Sequence, residues 1–234
     1  MKIKRKDYIK LYEEHEKPAS TLFHKFFSKK IAKFLTLYFL RMGLTPNVMS
    51  LLTLILVLIA IFSLNFYKDS FGLVVFLVLL QLSYVLDCSD GVVARITNKS
   101  SKFGGFFDVT LDRLNIMLVF FGVGVFLGGQ QEVRNEDIIT FSISAIFYLN
   151  YQMIASSRSY HFPEMGGYMK TDNGVTSFGK KAVRIIYEFI DTGIFFFILS
   201  VSLFFNLTIA VVLFYGVIGF LLSLAMYLLL YRKN

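Results

Sequence analysis

The amino-acid sequence predicts an all-α membrane protein, a polytopic bundle of six transmembrane helices with an amphipathic surface helix near its N-terminus. Of the 234 residues, 56% are hydrophobic and 17% are aromatic. The mean hydropathy of +0.62 is rare in a soluble domain of this length. Charge is unevenly spread, since residues 1–41 hold eleven Lys and Arg, whereas several later windows of about twenty residues hold none. This alternation is typical of membrane spans joined by short loops.

The apolar segments set the positions of the spans. A helix needs about twenty predominantly apolar residues to cross the hydrocarbon core of a bilayer. We therefore predict six spans, near residues 46–66, 71–95, 104–128, 138–157, 185–205 and 208–231. The chain would then comprise an N-terminal segment, residues 1–45, and a transmembrane domain, residues 46–234.

The segment Ser20–Met42 has a different pattern. Apolar side chains recur in it at helical spacing, at Leu22, Phe23, Phe26, Phe27, Ile31, Phe34, Leu35 and Tyr38. Lysines occupy its other faces, at Lys25, Lys29, Lys30 and Lys33. This pattern predicts an amphipathic helix on the membrane surface, where the basic face suits anionic headgroups.

The distribution of Lys and Arg predicts the orientation. Of the 24 Lys and Arg, 21 lie in the N-terminal segment, in residues 95–102, in residues 158–184 or at the C-terminal end. The positive-inside rule then places both termini and these loops in the cytoplasm. We expect membrane lipids as partners and no nucleic acid. The loop at residues 159–181 is interpreted either as a connector or as a mobile lid.

Four aspartates lie near the facing ends of two neighbouring spans. An ionisable residue inside a span is costly and is therefore a functional candidate. Asp87 and Asp90 end the second predicted span, and Asp108 and Asp112 begin the third. At about 100° per residue, each pair falls on one helix face, and the short turn between the spans lets the two faces meet. Four converging carboxylates would repel one another and lose solvation unless cations were present.

The ligand set predicts which cation. Oxygen ligands alone favour Mg²⁺ or Mn²⁺, and two such ions about 4 Å apart can clamp a diphosphate. Gly91 and Gly104 leave room for a bulky ligand, and Arg95 can pair with a phosphate or a carboxylate. Arg113 can neutralise its neighbours or contact a substrate. Cys88 is the single cysteine, so no intramolecular disulfide can form, and a buried thiol is its simplest interpretation.

The run from Asp87 to Asp112 resembles, without a gap, the signature of the CDP-alcohol phosphotransferase family. The shared pattern is Asp, two residues, Asp-Gly, two residues, Ala-Arg, eight residues, Gly, three residues, Asp, three residues, Asp. It fixes eight positions over 26 residues, which makes the motif specific. The predicted spans and surface helix are also similar to that family's architecture, so the resemblance extends over most of the chain.

The resemblance implies roles for individual residues. It implies a two-metal site formed by Asp87, Asp90, Asp108 and Asp112, with Asp112 also acting as the general base on the acceptor hydroxyl. It implies that the nucleotide is lined by Asp87, Asp90, Gly91, Ala94, Arg95 and Gly104. It also implies a homodimer. Thr45-Pro46-Asn47 is similar to a family element that would add Asn47 to this site; its plainer interpretation is a helix start, with Thr45 as the cap and Pro46 in the first turn.

The activity implied is that of an integral membrane transferase in phospholipid biosynthesis. It would move a substituted phosphate from a CDP-linked donor to an alcohol acceptor and release CMP. The donor is expected to be CDP-diacylglycerol or a similar CDP-lipid. The alternatives are a CDP-headgroup with a lipid acceptor, and a pair of soluble polyols.

Basic residues near the fifth predicted span provide a candidate site for an acceptor phosphate. They are Lys170, Lys180, Lys181 and Arg184, with Arg113 as a further candidate. A solvated cluster that follows the positive-inside rule is the competing interpretation. A rival function is cation transport, because clustered intramembrane aspartates also mark ion pathways. The Asp-Gly and Ala-Arg context favours the enzyme, since ion binding does not require it.

Overall fold

The structure is a computed structural model that describes residues 5–16, 21, 23–161 and 190–231. These residues form eight α-helices, and the described part of the chain contains no β-strand. The helices are α1 (Arg5–His15), α2 (Lys29–Met42), α3 (Pro46–Tyr67), α4 (Ser70–Ile96), α5 (Lys102–Gly128), α6 (Asn135–His161), α7 (Thr192–Phe204) and α8 (Thr208–Tyr231). The prediction of an all-helical protein is therefore confirmed.

Five of the helices are long and apolar enough to cross a membrane. They are α3, α4, α5, α6 over Asn135–Ala155 and α8 over Thr208–Leu228. The predicted span at 185–205 corresponds in part to α7, which has 13 residues and is too short to cross a bilayer alone. Residues 185–189 lie outside the described part of the chain. Five described helices thus have the length and composition of membrane spans, and the sixth span stays a prediction.

The N-terminal segment contains two helices where one was predicted. A π-helical turn at His24–Ser28 leads directly into α2. This is the region of the predicted surface helix, of which Ser20 and Leu22 lie outside the described residues. The additional helix is α1, which has polar composition and was not predicted. Its docking depends on Tyr8 and Tyr12, one turn apart, each of which is only 2% exposed.

The two faces of α2 have different surroundings. Large apolar side chains point outward, with Phe34 66% and Tyr38 58% exposed, as expected of a helix that meets lipid. The opposite face presents small residues such as Ala32 and Thr36, which are buried. Lys33 pairs with Glu13 of α1 at 3.0 Å, so part of the basic face binds protein rather than headgroups.

Helices α3, α4, α5 and α7 share an apolar core that continues onto α6 and α8. Gly216 of α8 faces the backbone of Ser144, where a Cβ would lie 2.6 Å from the Ser144 Cα. Gly219 meets Tyr148 in the same way, at 2.9 Å from its Cα. Close backbone approach at small residues is the usual way that membrane helices pack. It fixes α6 against α8.

The connection between α4 and α5 brings two helix ends together. The chain turns through Asn98, which has a left-handed backbone with φ 54°, and α5 begins four residues later. Ser101 caps α5 by accepting a hydrogen bond from the Gly104 amide at 2.9 Å. The C-terminal turn of α4 therefore lies beside the N-terminal turns of α5, where the aspartates are.

Candidate active site

Three of the four aspartates form a tight cluster at this end of the bundle. One carboxylate oxygen from each of Asp87, Asp90 and Asp108 lies within 4.8 Å of the other two. Asp90 is buried, and the other two are half-buried. Asp112 lies one turn further along α5, where its carboxyl contacts that of Asp87. The helix faces predicted to meet do meet.

The cluster has the properties of a divalent cation site. Among the described residues, no Lys or Arg forms an ion pair with Asp87, Asp90 or Asp108. The Oδ1 atom of Asp108 is buried and has no hydrogen-bond partner in the described part of the chain. Ser50 of α3 donates a hydrogen bond to Asp90 Oδ2 at 2.7 Å, which orients that carboxylate. An oxygen-only set with an unsatisfied buried acceptor fits a hard divalent cation.

A cavity of about 160 Å³ opens on the Asp90 and Asp108 side of the cluster. It lies between the N-terminal ends of α3 and α5 and the C-terminal end of α4. Six predicted nucleotide-binding residues line it: Asn47, Asp90, Gly91, Ala94, Arg95 and Gly104. Lys99 also lines this cavity and adds positive charge. The seventh predicted residue, Asp87, lies on the other side of the cluster.

Glycines form part of the cavity wall. A Cβ at Gly91 would lie 3.4 Å from Nη1 of Arg95, so the guanidinium rests against the Gly91 backbone. A Cβ at Gly104 would lie 3.1 Å from the capping Ser101 Oγ and 3.6 Å from Asn47 Oδ1. Any larger side chain at either glycine would occupy cavity space or displace a polar neighbour.

The Thr45-Pro46-Asn47 element combines the two interpretations that the sequence left open. Helix α3 begins at Pro46, with Thr45 in the cap position, although the Thr45 side chain makes no capping hydrogen bond within the described residues. Pro46 and Asn47 also line the cavity. The helix start is therefore part of the candidate site.

A smaller cavity of about 40 Å³ lies on the Asp87 and Asp112 side of the cluster. Its other lining residues include Thr53, Ser83 and Asn115. Asn115 is 6% exposed, donates to Thr53 Oγ1 at 3.3 Å and leaves its own Oδ1 unpaired among the described residues. This cavity is thus polar and rich in hydrogen-bond acceptors.

Of the candidate acceptor residues, Arg113 alone lies in the described part of the chain, next to Asp112 in α5. Arg113 donates to Gln152 Oε1 of α6 at 2.9 Å, and Gln152 in turn donates to Tyr148 at 2.8 Å. The four remaining candidates, Lys170, Lys180, Lys181 and Arg184, lie outside the described residues, as does most of the loop at 159–181.

A polar network ties the N-terminal segment to the same end of the bundle. Asp191 caps α7 and accepts hydrogen bonds from Tyr84 at 3.0 Å and from Thr21 at 3.0 Å. His24 Nδ1 lies 3.4 Å from the Cys88 sulfur. Burial disfavours the imidazolium and lowers the pKa of His24 below its ordinary value. These contacts fix the π-helical turn that leads into α2 against α4 and α7.

Sequence reasoning missed several of these residues. Ser50, Thr53 and Asn115 were passed over because single small polar residues are common in apolar spans and usually bond to their own helix backbone. A signal was nevertheless present in Ser50, which follows Asn47 by three residues on the same face of α3.

Comparisons with known proteins show what the chain is similar to. Residues 43–231 match the model of the family described as CDP-alcohol phosphatidyltransferase. Archaetidylinositol phosphate synthase of Pyrococcus horikoshii is 40% identical over 88 residues, which cover 38% of this chain and 44% of that protein. An uncharacterised Aquifex aeolicus protein is 33% identical over 88 residues, or 38% and 43% of the two chains. The matched part of the chain thus spans less than half the length of these relatives.

The fold is similar to that of a solved enzyme. The crystal structure of Mycobacterium tuberculosis phosphatidylinositol phosphate synthase with CDP-DAG bound superposes with a TM-score of 0.58 and 17% sequence identity. The match covers 84% of this chain and 91% of that one. Since the family model spans most of the chain, from residue 43 to residue 231, the protein belongs to the CDP-alcohol phosphatidyltransferase family.

Proposed function

We propose that this protein is an integral membrane transferase that moves a substituted phosphate group from a CDP-linked lipid to an alcohol and releases CMP, in phospholipid biosynthesis. The observation that carries the proposal is the position of the aspartate cluster between two cavities. The larger cavity is lined by Asp90 and Asp108, and the smaller by Asp87 and Asp112. A transferase needs such an arrangement, because the attacking acceptor oxygen and the departing CMP must lie on opposite sides of the donor phosphorus.

The larger cavity is the proposed site of the cytidine diphosphate. Gly91, Ala94 and Gly104 allow the nucleotide to approach the helix backbone, and Asn47 offers an amide for hydrogen bonding. Arg95 faces the same space and supplies charge for a phosphate. The name of the Mycobacterium tuberculosis structure records bound CDP-DAG, which supports CDP-diacylglycerol or a similar CDP-lipid as donor.

The aspartate cluster is the proposed metal site. Asp87, Asp90, Asp108 and Asp112 would hold two divalent ions, Mg²⁺ or Mn²⁺, with Ser50 orienting Asp90. When bound, these ions would neutralise charge on the diphosphate and on the departing CMP. In their absence, mutual repulsion and loss of solvation would disfavour four ionised carboxylates this close together.

Asp112 is the proposed general base. Its carboxyl lines the smaller cavity, on the side of the cluster away from the proposed nucleotide site. There it would accept the proton of the acceptor hydroxyl as the new oxygen–phosphorus bond forms and the bond to CMP breaks. Thr53, Asn115 and Asp87 surround this position, and Asn115 Oδ1 can accept a hydrogen bond from the incoming alcohol.

The acceptor is proposed to be a small polar alcohol or polyol phosphate. The name of the Pyrococcus horikoshii relative, archaetidylinositol phosphate synthase, supports this class. Arg113, Lys180, Lys181 and Arg184 are the proposed contacts for its phosphate. Gln152 accepts a hydrogen bond from Arg113, and this contact would orient the guanidinium.

The proposal also places the molecule in its membrane. We retain six spans, an N-terminal segment at residues 1–45 and a transmembrane catalytic domain at 46–234 in the cell membrane. Both termini and the active site would face the cytoplasm, and the protein would act as a homodimer. A site at the membrane surface gives a lipid donor lateral access and lets a polar acceptor arrive from the cytosol.

The test is a matrix of donors and acceptors offered to the purified protein in lipid nanodiscs. CDP-diacylglycerol, an archaeal CDP-lipid and CDP-headgroups would each be paired with polyol phosphates, simple polyols and diacylglycerol. Product identification by mass spectrometry should show a phospholipid only with a CDP-lipid donor. A product formed from a CDP-headgroup and a lipid alcohol would show that the lipid is the acceptor and not the donor. Cation flux across the membrane without CMP release would support the transport function.

A further inference from the structure

We infer that helix α1 is part of the donor site and fixes the orientation of Arg95 through a backbone hydrogen bond. The inference rests on the proposed function, since Arg95 is assigned to the nucleotide there. Helix α1 ends at His15, and it lies outside the residues that match the family model, which begin at 43.

The contact joins the last residue of α1 to the cavity wall. Nε of Arg95 donates a hydrogen bond to the His15 carbonyl oxygen at 2.6 Å. The final carbonyl groups of a helix have no partner within the helix and lie at the negative end of its dipole. A guanidinium is therefore a favourable partner for the end of α1.

This contact leaves the ligand-binding part of Arg95 free to act. A guanidinium has five N–H donors, of which Nε carries one. With Nε held by His15, the Nη1 and Nη2 groups remain, and Nη1 lies against Gly91 at the cavity wall. Because the guanidinium of Arg95 is already held in position, its Nη1 and Nη2 donors lose less conformational entropy when they bind a phosphate.

Helix α1 is held firmly enough to act as a support. Tyr8 and Tyr12 are almost fully buried among Leu86, Val92 and Val93 of α4 and neighbouring residues of α2 and α3. Glu16, next to His15, pairs with Lys29 of α2 at 2.9 Å, with both side chains largely covered. Glu13 pairs with Lys33. The two tyrosines and two ion pairs set the position of the His15 carbonyl.

The surface of α1 that faces away from the bundle provides a matched control. Lys10 and Glu14 form an ion pair at 4.0 Å, and their side chains are 82% and 55% exposed. Changes there leave the docked face intact. A general effect of altering α1 can thus be separated from the effect of undocking it.

The experiment measures the affinity of CDP, as the probe, for the full-length protein in nanodiscs with Mg²⁺. Tyr12→Ala should weaken CDP binding about tenfold, the scale of one charge-assisted hydrogen bond, and raise the donor KM while leaving the acceptor KM unchanged. Glu14→Gln should bind as the wild type does. Arg95→Ala should weaken binding as well, and Tyr12→Ala should add nothing in that background. If Tyr12→Ala proves unstable, Glu13→Gln with Glu16→Gln undocks α1 more gently and carries the same expectation.

Three results would overturn the inference, and they are distinguishable. A Tyr12→Ala variant with unchanged CDP affinity, or with a loss that persists in full in the Arg95→Ala background, means that α1 does not act through Arg95, and the proposed function stands. Unchanged CDP affinity in Arg95→Ala means that the nucleotide is not bound by Arg95 in the larger cavity. The inference then fails together with that part of the proposed function.

Discussion

Asp112 differs from Asp87, Asp90 and Asp108 because it lies outside the tight cluster that those three carboxylates form, and it lines the smaller cavity. Asp112→Asn keeps the size and one coordinating oxygen but removes the basicity. We predict a loss of turnover of about 10²-fold or more, the scale for removing a general base, with CDP-donor affinity less affected. Asp87→Asn should instead weaken metal and donor binding together. Single-turnover rates and donor affinities across a metal titration measure both effects.

Asp137→Asn is the control for these aspartate variants. Asp137 pairs with Arg134 at 3.3 Å near the start of α6, at the opposite end of the bundle from the cluster. Its loss should leave turnover unchanged. Normal turnover in Asp112→Asn would show that the base is another residue.

Substitution of Ser50 tests whether a residue that orients a proposed metal ligand, without binding the metal itself, affects metal affinity. Its hydroxyl donates to Asp90 Oδ2, and removal of such an orienting partner typically lowers metal affinity about 10- to 100-fold. Ser50→Ala should therefore shift the activating Mg²⁺ concentration upward by at least about tenfold. Ser63→Ala is the matched control in the same helix, because within the described residues the Ser63 hydroxyl donates to the Ala60 carbonyl at 2.7 Å and to no other group. Equal midpoints in the two variants would argue against Ser50 as a support.

At the scale of single residues, the sequence singled out the four aspartates but not the neutral polar side chains around them. A carboxylate in an apolar span has few explanations, so Asp87, Asp90, Asp108 and Asp112 stood out. Ser50 and Asn115 did not, because their roles depend on side chains of other helices that spacing along one helix cannot reveal.

At the scale of helices, the contact between α6 and α8 depends on glycine. A Cβ at Gly216 would lie 2.6 Å from Ser144, so Gly216→Ala must separate the two helices. We predict a loss of about 1–3 kcal/mol in stability, as for other overpacked sites, seen as a lower thermal unfolding temperature in matched detergent. Gly128→Ala, in a helix position with nothing within 4 Å of the new Cβ, should unfold at or above the wild-type temperature. Equal unfolding temperatures would show that the contact is looser than described.

The helices differed in how far sequence could predict them. The spans at 46–66, 71–95 and 104–128 correspond closely to α3, α4 and α5, because long apolar runs have no other stable form in a bilayer. Helix α1 was missed because its stability comes from two tyrosines and two ion pairs made with other helices. Its own sequence contains no apolar stripe of the usual width.

At the scale of the whole molecule, orientation is open to a direct test. Reporter cysteines at Lys10 and Arg134, in a Cys88→Ser background, occupy opposite ends of the bundle and have exposed side chains. An impermeant maleimide should label Lys10→Cys only from the cytoplasmic side and Arg134→Cys only from the outer side. The reverse pattern would invert the molecule and contradict a cytoplasmic active site.

The orientation in the membrane and the identity of the acceptor cannot be deduced from contacts among the described residues. Charge bias along the chain predicts orientation through the insertion process, not through a contact within the fold. The proposed acceptor contacts are divided between Arg113 and the segment at residues 170–184, and their spacing in sequence does not determine the shape of the space between them.

The central claim is that the aspartate cluster uses divalent metal to release CMP from a CDP-linked donor. The most direct measurement is CMP formed by the purified protein, given CDP-lipid and acceptor, as a function of free Mg²⁺ or Mn²⁺. Four carboxylates this close need cations, so CMP should form in equal amount with the lipid product, stop in excess EDTA and return when metal is restored. Undiminished turnover in EDTA, or release of CDP or free phosphate in place of CMP, would contradict the account.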